Sequence, residues 1–411
     1  MSKVIAVLAT LDTKGQEAEF LREQLAKLGS QALVIDIGVT GKPAAEPDIF
    51  REEVARCGGS SLEEMLKEPT REAAQPIMGG GAAKILLEKI EEDAVHGVLG
   101  LGGLQGTAVC TEAMRALPYG FPKVMVSTVA SGDTSAYVDI KDITMMFSVS
   151  DILGLNPFTR KILAKAAGAA HGMAMVEIEL KIETSGKPLI GMSNLGVLTR
   201  GALKAIEAFN EKGYEVIVFH AVGSGGRAME QMMKEGIIGG VFDYAMGEIA
   251  DEHFEGLRAG GPERLTVAGK LGLPQVLCPG GAEHLGVLVD PPNTVPDKYK
   301  DHQYVFHNPI VFVPRLRKSE MVELAQDIAD RLSHTKGNAV FMIPKGGTGS
   351  YAMEGGVLRD PEGDEAFFAE LKAKLPDTIE IVERDTHAED PEFVKECVDR
   401  LIGLIESEEN A

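Results

Sequence analysis

The chain has 411 residues, an apolar fraction of 44%, a charged fraction of 25% and a formal charge of −21. That length points to two domains, and the composition is that of a globular protein. The acidic balance argues against a nucleic-acid or anionic-membrane surface, because both need clustered Lys and Arg. Cys57, Cys110, Cys278 and Cys397 form no CxxC pair, so neither a disulfide framework nor a cysteine zinc site is expected. No apolar run approaches the roughly 20 residues of a membrane span. The opening "MSKVIAVLATLDTKG" reads as a first strand rather than a secretory leader. A cytoplasmic protein is expected.

In chain order, "VIAVLAT" (4–10) is a β-branched strand, and "QEAEFLREQLAKLG" has helical apolar spacing that closes at Gly29. "QALVIDIG" (31–38) is the next buried strand, which completes a βαβ opening. Residues 39–80 read as irregular apart from "EPDIFREEVAR" (46–56), which suggests a capped helix with Asp48 at its start. A helix over 81–94 leads to "HGVLGLGGLQGT", a strand that breaks into glycines. A helix over 107–116, a strand over 123–127 and the loop "STVASGDT" (127–134) follow, and Met145 and Met146 read as core filler.

A second βα series starts near residue 186. Strand-and-turn patterns occur in "KPLIGMSNLG", "YEVIVFHAVGSGG", "IIGGVFDYAMGE", "LPQVLCPGGAEH", "NAVFMIPKGG" and "IEIVERDTH". Helices are expected over 199–213, 227–236 and 364–374 and at the end of the chain. The expected fold is α/β, with two Rossmann-like domains, each a mainly parallel sheet with helices on both faces. The boundaries are 1–183 and 184–411, joined in the polar "KIETSGKP".

Ligands of open α/β sheets sit at the carboxyl ends of the strands, where loops enter helix N-termini and unpaired N–H groups favour anions. Three loops of the first domain fit: "TLDTKG" (10–15), "GLGGLQGT" (100–107) and "STVASGDT" (127–134). The middle loop misses the dinucleotide G-x-G-x-x-G spacing by one residue and lacks a P-loop Lys. Even so, Gly100, Gly102, Gly103 and Gly106 let backbone approach a phosphate, and Thr107 can cap the helix or bond a ligand. Lys14 can supply positive charge. Asp36 closes the second strand and either accepts ribose hydroxyls or caps a turn. The convergence of three such loops predicts a phosphate site.

In the second domain, "FHAVGSGGRAME" places His220, a glycine turn and Arg227 together, a set suited to a carboxylate or phosphate. Glu248, Glu283, His284, His307, Asn308, Asp385 and His387 also fall at strand ends. General acid–base work or metal ligation is open to them, but no H-x-x-x-H or H-E-x-x-H spacing occurs, and no protein metal site is expected.

The stretches "TLDTKGQEAEFL", "GLGGLQGT", "MVSTVASGDTSAYVDIKDITMMFSVSDILGLN", "FHAVGSGGRAME" and "HNP" resemble the Tm-one-like ATP-binding domain family, over nearly the whole chain. That family includes half of a tomato mosaic virus resistance protein and many bacterial proteins. The resemblance implies two Rossmann-like subdomains, ATP with Mg2+ on the first, and a homodimer. It puts the nucleotide at Thr10, Asp12, Thr13 and Lys14, at Gly102, Gly103, Gln105, Gly106 and Thr107, and at Ser127, Thr128, Ser131, Gly132, Asp133 and Thr134. Two departures stand out. "YAMGE" replaces the common "TTTE" and keeps only Glu248, and Gln105 replaces a glycine. Bacterial relatives often accompany a phosphoenolpyruvate-hydrolase-like barrel, which suggests small-molecule metabolism.

The expected function is therefore an ATP-dependent or ATP-hydrolysing enzyme acting on a small organic acid in the interdomain cleft. Arg227 would hold the acid, and His220, His307 or His387, with Glu248, would serve the chemistry. The alternatives are a non-enzymatic ATP-dependent protein-binding module and a dinucleotide-dependent oxidoreductase.

Overall fold

The computed structural model describes residues 2–67, 70–176, 186–291 and 293–409. The chain divides into two compact units, Met1–Leu180 and Lys181–Ala411. Most of the "KIETSGKP" join, residues 181–185, lies outside the described residues.

The first unit is built on five parallel strands: β1 (Val4–Ala9), β2 (Gln31–Asp36), β3 (Gly97–Gly102), β4 (Lys123–Ser127) and β5 (Thr144–Phe147), in the order β2-β1-β3-β4-β5. Its helices are α1 (Leu11–Leu28), α2 (Arg51–Cys57), α3 (Leu62–Lys67), α4 (Arg71–Glu91), α5 (Leu104–Arg115), α6 (Ser135–Val138) and α7 (Pro157–Ala174). Side chains alternate across a strand, so β1 serves two cores. Ile5, Val7 and Ala9 pack with Leu21 and Leu25 of α1 and Leu163 and Ala166 of α7, whereas Ala6 and Leu8 pack with Leu86 of α4 and Val109 and Met114 of α5. Strand order reverses between β1 and β3, which places the crevice of the sheet at their carboxyl ends.

The second unit has a parallel six-stranded sheet of β6 (Ile190–Asn194), β7 (Val216–His220), β8 (Gly240–Ala245), β9 (Gln275–Gly280), β13 (Ala339–Pro344) and β14 (Ile379–Arg384), ordered β14-β13-β9-β8-β6-β7. An antiparallel insertion adds β10 (Val287–Leu288), β11 (Tyr304–Asn308) and β12 (Val311–Pro314). The helices are α8 (Thr199–Glu211), α9 (Ser224–Lys234), α10 (Gly247–His253), α11 (Val267–Leu271), α12 (Lys318–Leu332), α13 (Pro361–Lys374) and α14 (Pro391–Glu409). Phe242, Val276 and Val340 face the core shared with α8 and α14, while Leu277 and Phe341 face α12 and α13. Both units are thus Rossmann-like, with parallel sheets flanked by helices.

Three expectations change. Residues 39–80 are not irregular, since α2, α3 and the first half of α4 lie there, with Pro76 inside α4. Asp48 does not cap α2, which starts at Arg51; its carboxylate instead accepts the Val34 N–H at 2.7 Å and pairs with Arg22 at 2.8 Å. The helix expected from 107 starts at Leu104, so Gly106 and Thr107 are helical. Met145 and Met146, on β5, are partly buried and pack against the cores on the two faces of the sheet, as core filler would. No helix among the described residues is long and apolar enough to cross a membrane.

Candidate functional site

At the β1/β3 crevice the chain enters two helices. Thr10 ends β1 as the N-cap of α1, its hydroxyl 3.0 Å from that of Thr13. Asp36, at the end of neighbouring β2, is 1% exposed, and its Oδ1 accepts the N–H groups of Leu11 (3.1 Å) and Gly38 (2.9 Å). Its Oδ2 is buried with no hydrogen-bond partner. Burial raises its pKa against the lowering effect of those two bonds. The α1 N-terminus therefore already holds an internal carboxylate, the turn-capping role among the two open to Asp36. Lys14 leaves regular helix geometry (φ −125°, ψ 16°) and is only 9% exposed; its backbone N–H donates to Thr10 O at 2.8 Å, yet its ammonium makes no hydrogen bond or ion pair to any described residue. A lysine stem covered to that degree is uncommon unless its ammonium has a partner.

The glycines after β3 are not equivalent. Gly100 is a packing residue, because an added Cβ would stand 2.7 Å from Met125 Sδ and 2.8 Å from Cys110 Cβ. Gly102 lies against the first turn of α5, where an added Cβ would stand 2.7 Å from Gly106 Cα. At Gly103 an added Cβ would meet nothing within 4 Å except Thr128 Oγ1, at 3.7 Å. Gly103 is the N-cap of α5 and carries no side-chain cap, and the first turn has no acid. So α5, unlike α1, presents an open N-terminus, and Gly103 is where backbone is most accessible. Gln105 is half-buried on that turn and Leu104 is exposed.

Two hydroxyls expected at the ligand are turned to the structure instead. Thr107 and Ser127 are fully buried and share a 2.7 Å hydrogen bond, and Ser127 Oγ also accepts the Val129 N–H at 3.1 Å. They staple α5 to β4, while the Thr128 N–H to Gly102 O bond of 3.2 Å ties the ends of β3 and β4. Thr128 and Thr134 remain half-buried, and Ser131, Gly132 and Asp133 are exposed. The Asp133 carboxylate accepts the Ser135 N–H at 2.9 Å, which holds its pKa down.

In the second unit the expected residues do not form one site. His220 ends β7 and His387 follows β14, the opposite edges of the six-stranded sheet, five strand spacings or about 24 Å apart. His220 and Arg227 are exposed, with His220 Nδ1 3.4 Å from Asn194 O. Glu248 is not available to a substrate. It is fully buried, its Oε1 accepts the N–H groups of Gly223 (2.6 Å) and Gly226 (3.0 Å), and its Oε2 accepts Arg264 Nε at 2.7 Å. It fills the glycine turn that was expected to hold a substrate anion. Arg264 also binds Asp243, through both terminal nitrogens, and Glu230 at 3.4 Å.

Around the loop after β13 a different group assembles. Buried Glu283 accepts His284 Nδ1–H at 2.8 Å and the Thr348 hydroxyl at 2.6 Å. Despite burial, which pushes it up, the adjoining His284 and these bonds bring the Glu283 pKa down to about 2. Arg258, paired with Asp251 at 2.7 Å, closes the other side of His284. Tyr351 lies 5.7 Å from the His284 ring, and its hydroxyl is 3.5 Å from Nδ1 of exposed His307. Gly347 bridges to His387, whose Nδ1 is buried and unpartnered, while Asn308 turns its carboxamide to Ile310 and Val311 and Asp385 pairs with Lys345. Sequence reasoning missed Thr348, Tyr351 and Arg258; the glycine run "KGGTGS" after Pro344 was the available signal. Among the described residues no group of three or more His, Cys, Asp or Glu could hold a metal ion.

Comparison with known proteins covers both units. A family described as "Uncharacterised protein family (UPF0261) N-terminal domain" matches residues 3–179, and its "C-terminal domain" counterpart matches residues 187–405. A UPF0261 protein of Clostridium tetani is 42% identical over 99% of this chain and 100% of its own length, and one from Rhizobium meliloti is 36% identical over 96% and 98%. The ToMV resistance protein Tm-1(GCR237) of Solanum lycopersicum is 31% identical over 97% of this chain, which spans 55% of that relative. Among solved structures, a UDP-N-acetylglucosamine 2-epimerase from Rickettsia bellii aligns at 12% identity over 67% of this chain and 78% of its own, with a TM-score of 0.23. MurG of Acinetobacter baumannii aligns at 12% identity over 98% and 94%, with a TM-score of 0.22. Likeness that weak carries no argument about fold or activity. The chain belongs to the UPF0261 family.

Proposed function

We propose that this UPF0261 protein binds the phosphates of a nucleoside triphosphate, ATP, at the carboxyl edge of its first sheet, and that it uses ATP in chemistry on a small organic acid. The observation that carries the phosphate site is Lys14, a covered lysine without a protein partner beside the sheet crevice. The open α5 N-terminus supplies N–H donors and the positive end of a helix dipole, and Gly103 lets a phosphate approach them. Thr10, Thr13 and Thr128 add hydroxyl donors at the same strand ends. Mg2+ is usually held by one or two carboxylates together with the phosphates, and Asp12, the acid in the first turn of α1, suits that part.

The small-acid half of the proposal draws on the second unit. With Glu248 committed to the α9 turn, His307 and Tyr351 are the pair best suited to move a proton, since one is exposed, the other half-buried, and they are within hydrogen-bond reach. Exposed Arg227 is the cation proposed to meet the substrate carboxylate, through a bidentate guanidinium contact.

Removing the Lys14 charge tests the phosphate site. Lys14→Met keeps the apolar stem and should weaken ATP at least tenfold, about 1.4 kcal/mol or more, with unchanged circular dichroism. Calorimetry showing equal ATP affinity in the folded variant would remove Lys14, and the site built on it.

A further inference from the structure

The loop after β5 shows apolar side chains to solvent while being tightly fixed. Val149 and Leu153 are 64% and 72% exposed. Connecting loops are ordinarily more mobile than the elements they join; this one is pinned at three points. Ser148 N–H donates to Ser127 O at 3.0 Å, Ile152 is buried in the core shared with α1 and α7, and Gly154 N–H donates to the buried Glu17 of α1 at 2.7 Å. A local ring of bonds tightens it further, with Ser148 Oγ donating to Ser150 O at 2.6 Å and Ser150 N–H to Ser148 O at 2.7 Å. Within that ring Val149 is held at φ 64°, a conformation costly for a β-branched residue and kept only where surroundings over-determine it. The hydroxyl of Ser150, beside it, is buried with no hydrogen-bond partner.

We infer that this loop, residues 148–153, is the seat of the nucleotide base, with Val149 and Leu153 as its apolar walls and Ser150 as a hydrogen-bonding group for the base edge. The inference rests on the phosphate site proposed above and extends it along the same sheet edge. Gly102 O is bonded to Thr128 N–H and Ser127 O to Ser148 N–H, so the ends of β3, β4 and β5 are locked side by side. Two strand spacings, about 10 Å, separate the α5 N-terminus from this loop, a span suited to the reach from phosphates to base. A base is a flat, largely apolar group with polar edges, and small-molecule sites commonly pair apolar walls with a few polar atoms. Exposed Leu104, on the first turn of α5, continues the apolar surface toward the phosphates.

The test compares ATP with inorganic tripolyphosphate, which has the phosphates and no base. Calorimetry would be run on wild type, Leu153→Ser and Val149→Gly; glycine accepts the positive φ, so that variant keeps the loop, and thermal melting checks folding. In both variants ATP affinity should fall about tenfold, as expected for loss of one apolar wall, while tripolyphosphate affinity stays within about twofold. If wild type binds tripolyphosphate and the variants hold ATP as tightly as wild type does, the base seat is wrong and the phosphate site stands. Parallel losses of ATP and tripolyphosphate in folded variants would also overturn the base seat. If wild type binds neither compound, the phosphate site fails and the base seat with it.

Discussion

The glycine turns that open α5 and α9 look alike in sequence, "GLGGLQGT" and "GSGGRAME", and physically they are opposites. At α9 the turn is filled from inside, with Glu248 accepting the Gly223 and Gly226 N–H groups and itself held by Arg264. At α5 no side chain caps the turn, no acid lies in its first turn, and the nearby Lys14 lacks a partner. A helix N-terminus is a place for negative charge, and a protein can supply that charge itself or leave it to a ligand. Glycine content does not distinguish these cases. What distinguishes them is whether a buried carboxylate from elsewhere in the chain reaches the turn.

The sharpest way to break the comparison is to empty the filled turn. Glu248→Ala leaves Arg264 with Asp243 and a distant Glu230 and strips two N–H groups of their acceptor. Breaking a buried ion pair on one side should cost about 3–5 kcal/mol in chemical denaturation. The emptied turn should then resemble α5 and recruit an anion, so sulfate should raise the melting temperature of the variant more than that of wild type. Equal shifts in both would mean that the turn has no anion site once Glu248 is gone.

The filled turn also makes the second unit sensitive to pH. Three buried carboxylates, Glu230, Asp243 and Glu248, surround one guanidinium, and burial raises Glu230, the most weakly paired, to about 7. Its folded pKa lies above the unfolded value of 4.5, so the folded state binds the extra proton between those limits. Stability should therefore fall as pH rises from about 4.5 to about 7, by about 3 kcal/mol from this group, and level off above. Asp364, raised by burial to about 6, acts in the same direction over a lower range, whereas Glu283, lowered to about 2, gives stability that is lost only as pH drops below its unfolded value. Glu230→Gln should flatten the fall between pH 5 and 7 in urea titrations. An unchanged slope in that variant would assign the proton to another group.

The same contrast explains what the sequence could disclose. Strand runs such as "VIAVLAT" and "AVFMIP" are apolar on both faces, so their assignment to buried parallel strands needed no partner information. The strand-end loops followed from that topology. What each loop residue does was not legible, because it is decided by residues far along the chain. Thr107 turns inward only because Ser127 stands 2.7 Å away, and Glu248 is an anchor only because Arg264 and the 223–226 turn meet it. His220 and His387 look equivalent as strand-end histidines, yet crossing order puts them on opposite edges of one sheet. The helices in 39–80 were hidden by Pro76 and by glycines that read as breakers. An added Cβ at Gly58 would run into the Ile77 backbone, so at least that glycine is there for helix packing.

The finest division lies within the α5 turn itself, between Gly103, which faces open space, and Thr107, which faces the β4 staple. Gly103→Val adds a side chain whose first carbon has only Thr128 Oγ1 near it, at a residue with negative φ (−80°), so the fold should persist. The added bulk would occupy the approach to the α5 N–H groups, and ATP affinity should fall by tenfold or more. Thr107→Val keeps shape and removes the buried hydroxyl, leaving Ser127 Oγ without that partner. It should cost about 1 kcal/mol in denaturant while leaving ATP affinity within about twofold, since the hydroxyl points into the sheet and not toward a ligand. The two substitutions, four residues apart at the head of α5, should thus separate binding from stability. If Thr107→Val weakened ATP as strongly as Gly103→Val, the Thr107–Ser127 bond would have to open to receive a phosphate, and the turn would be a site assembled on binding and not one built in advance.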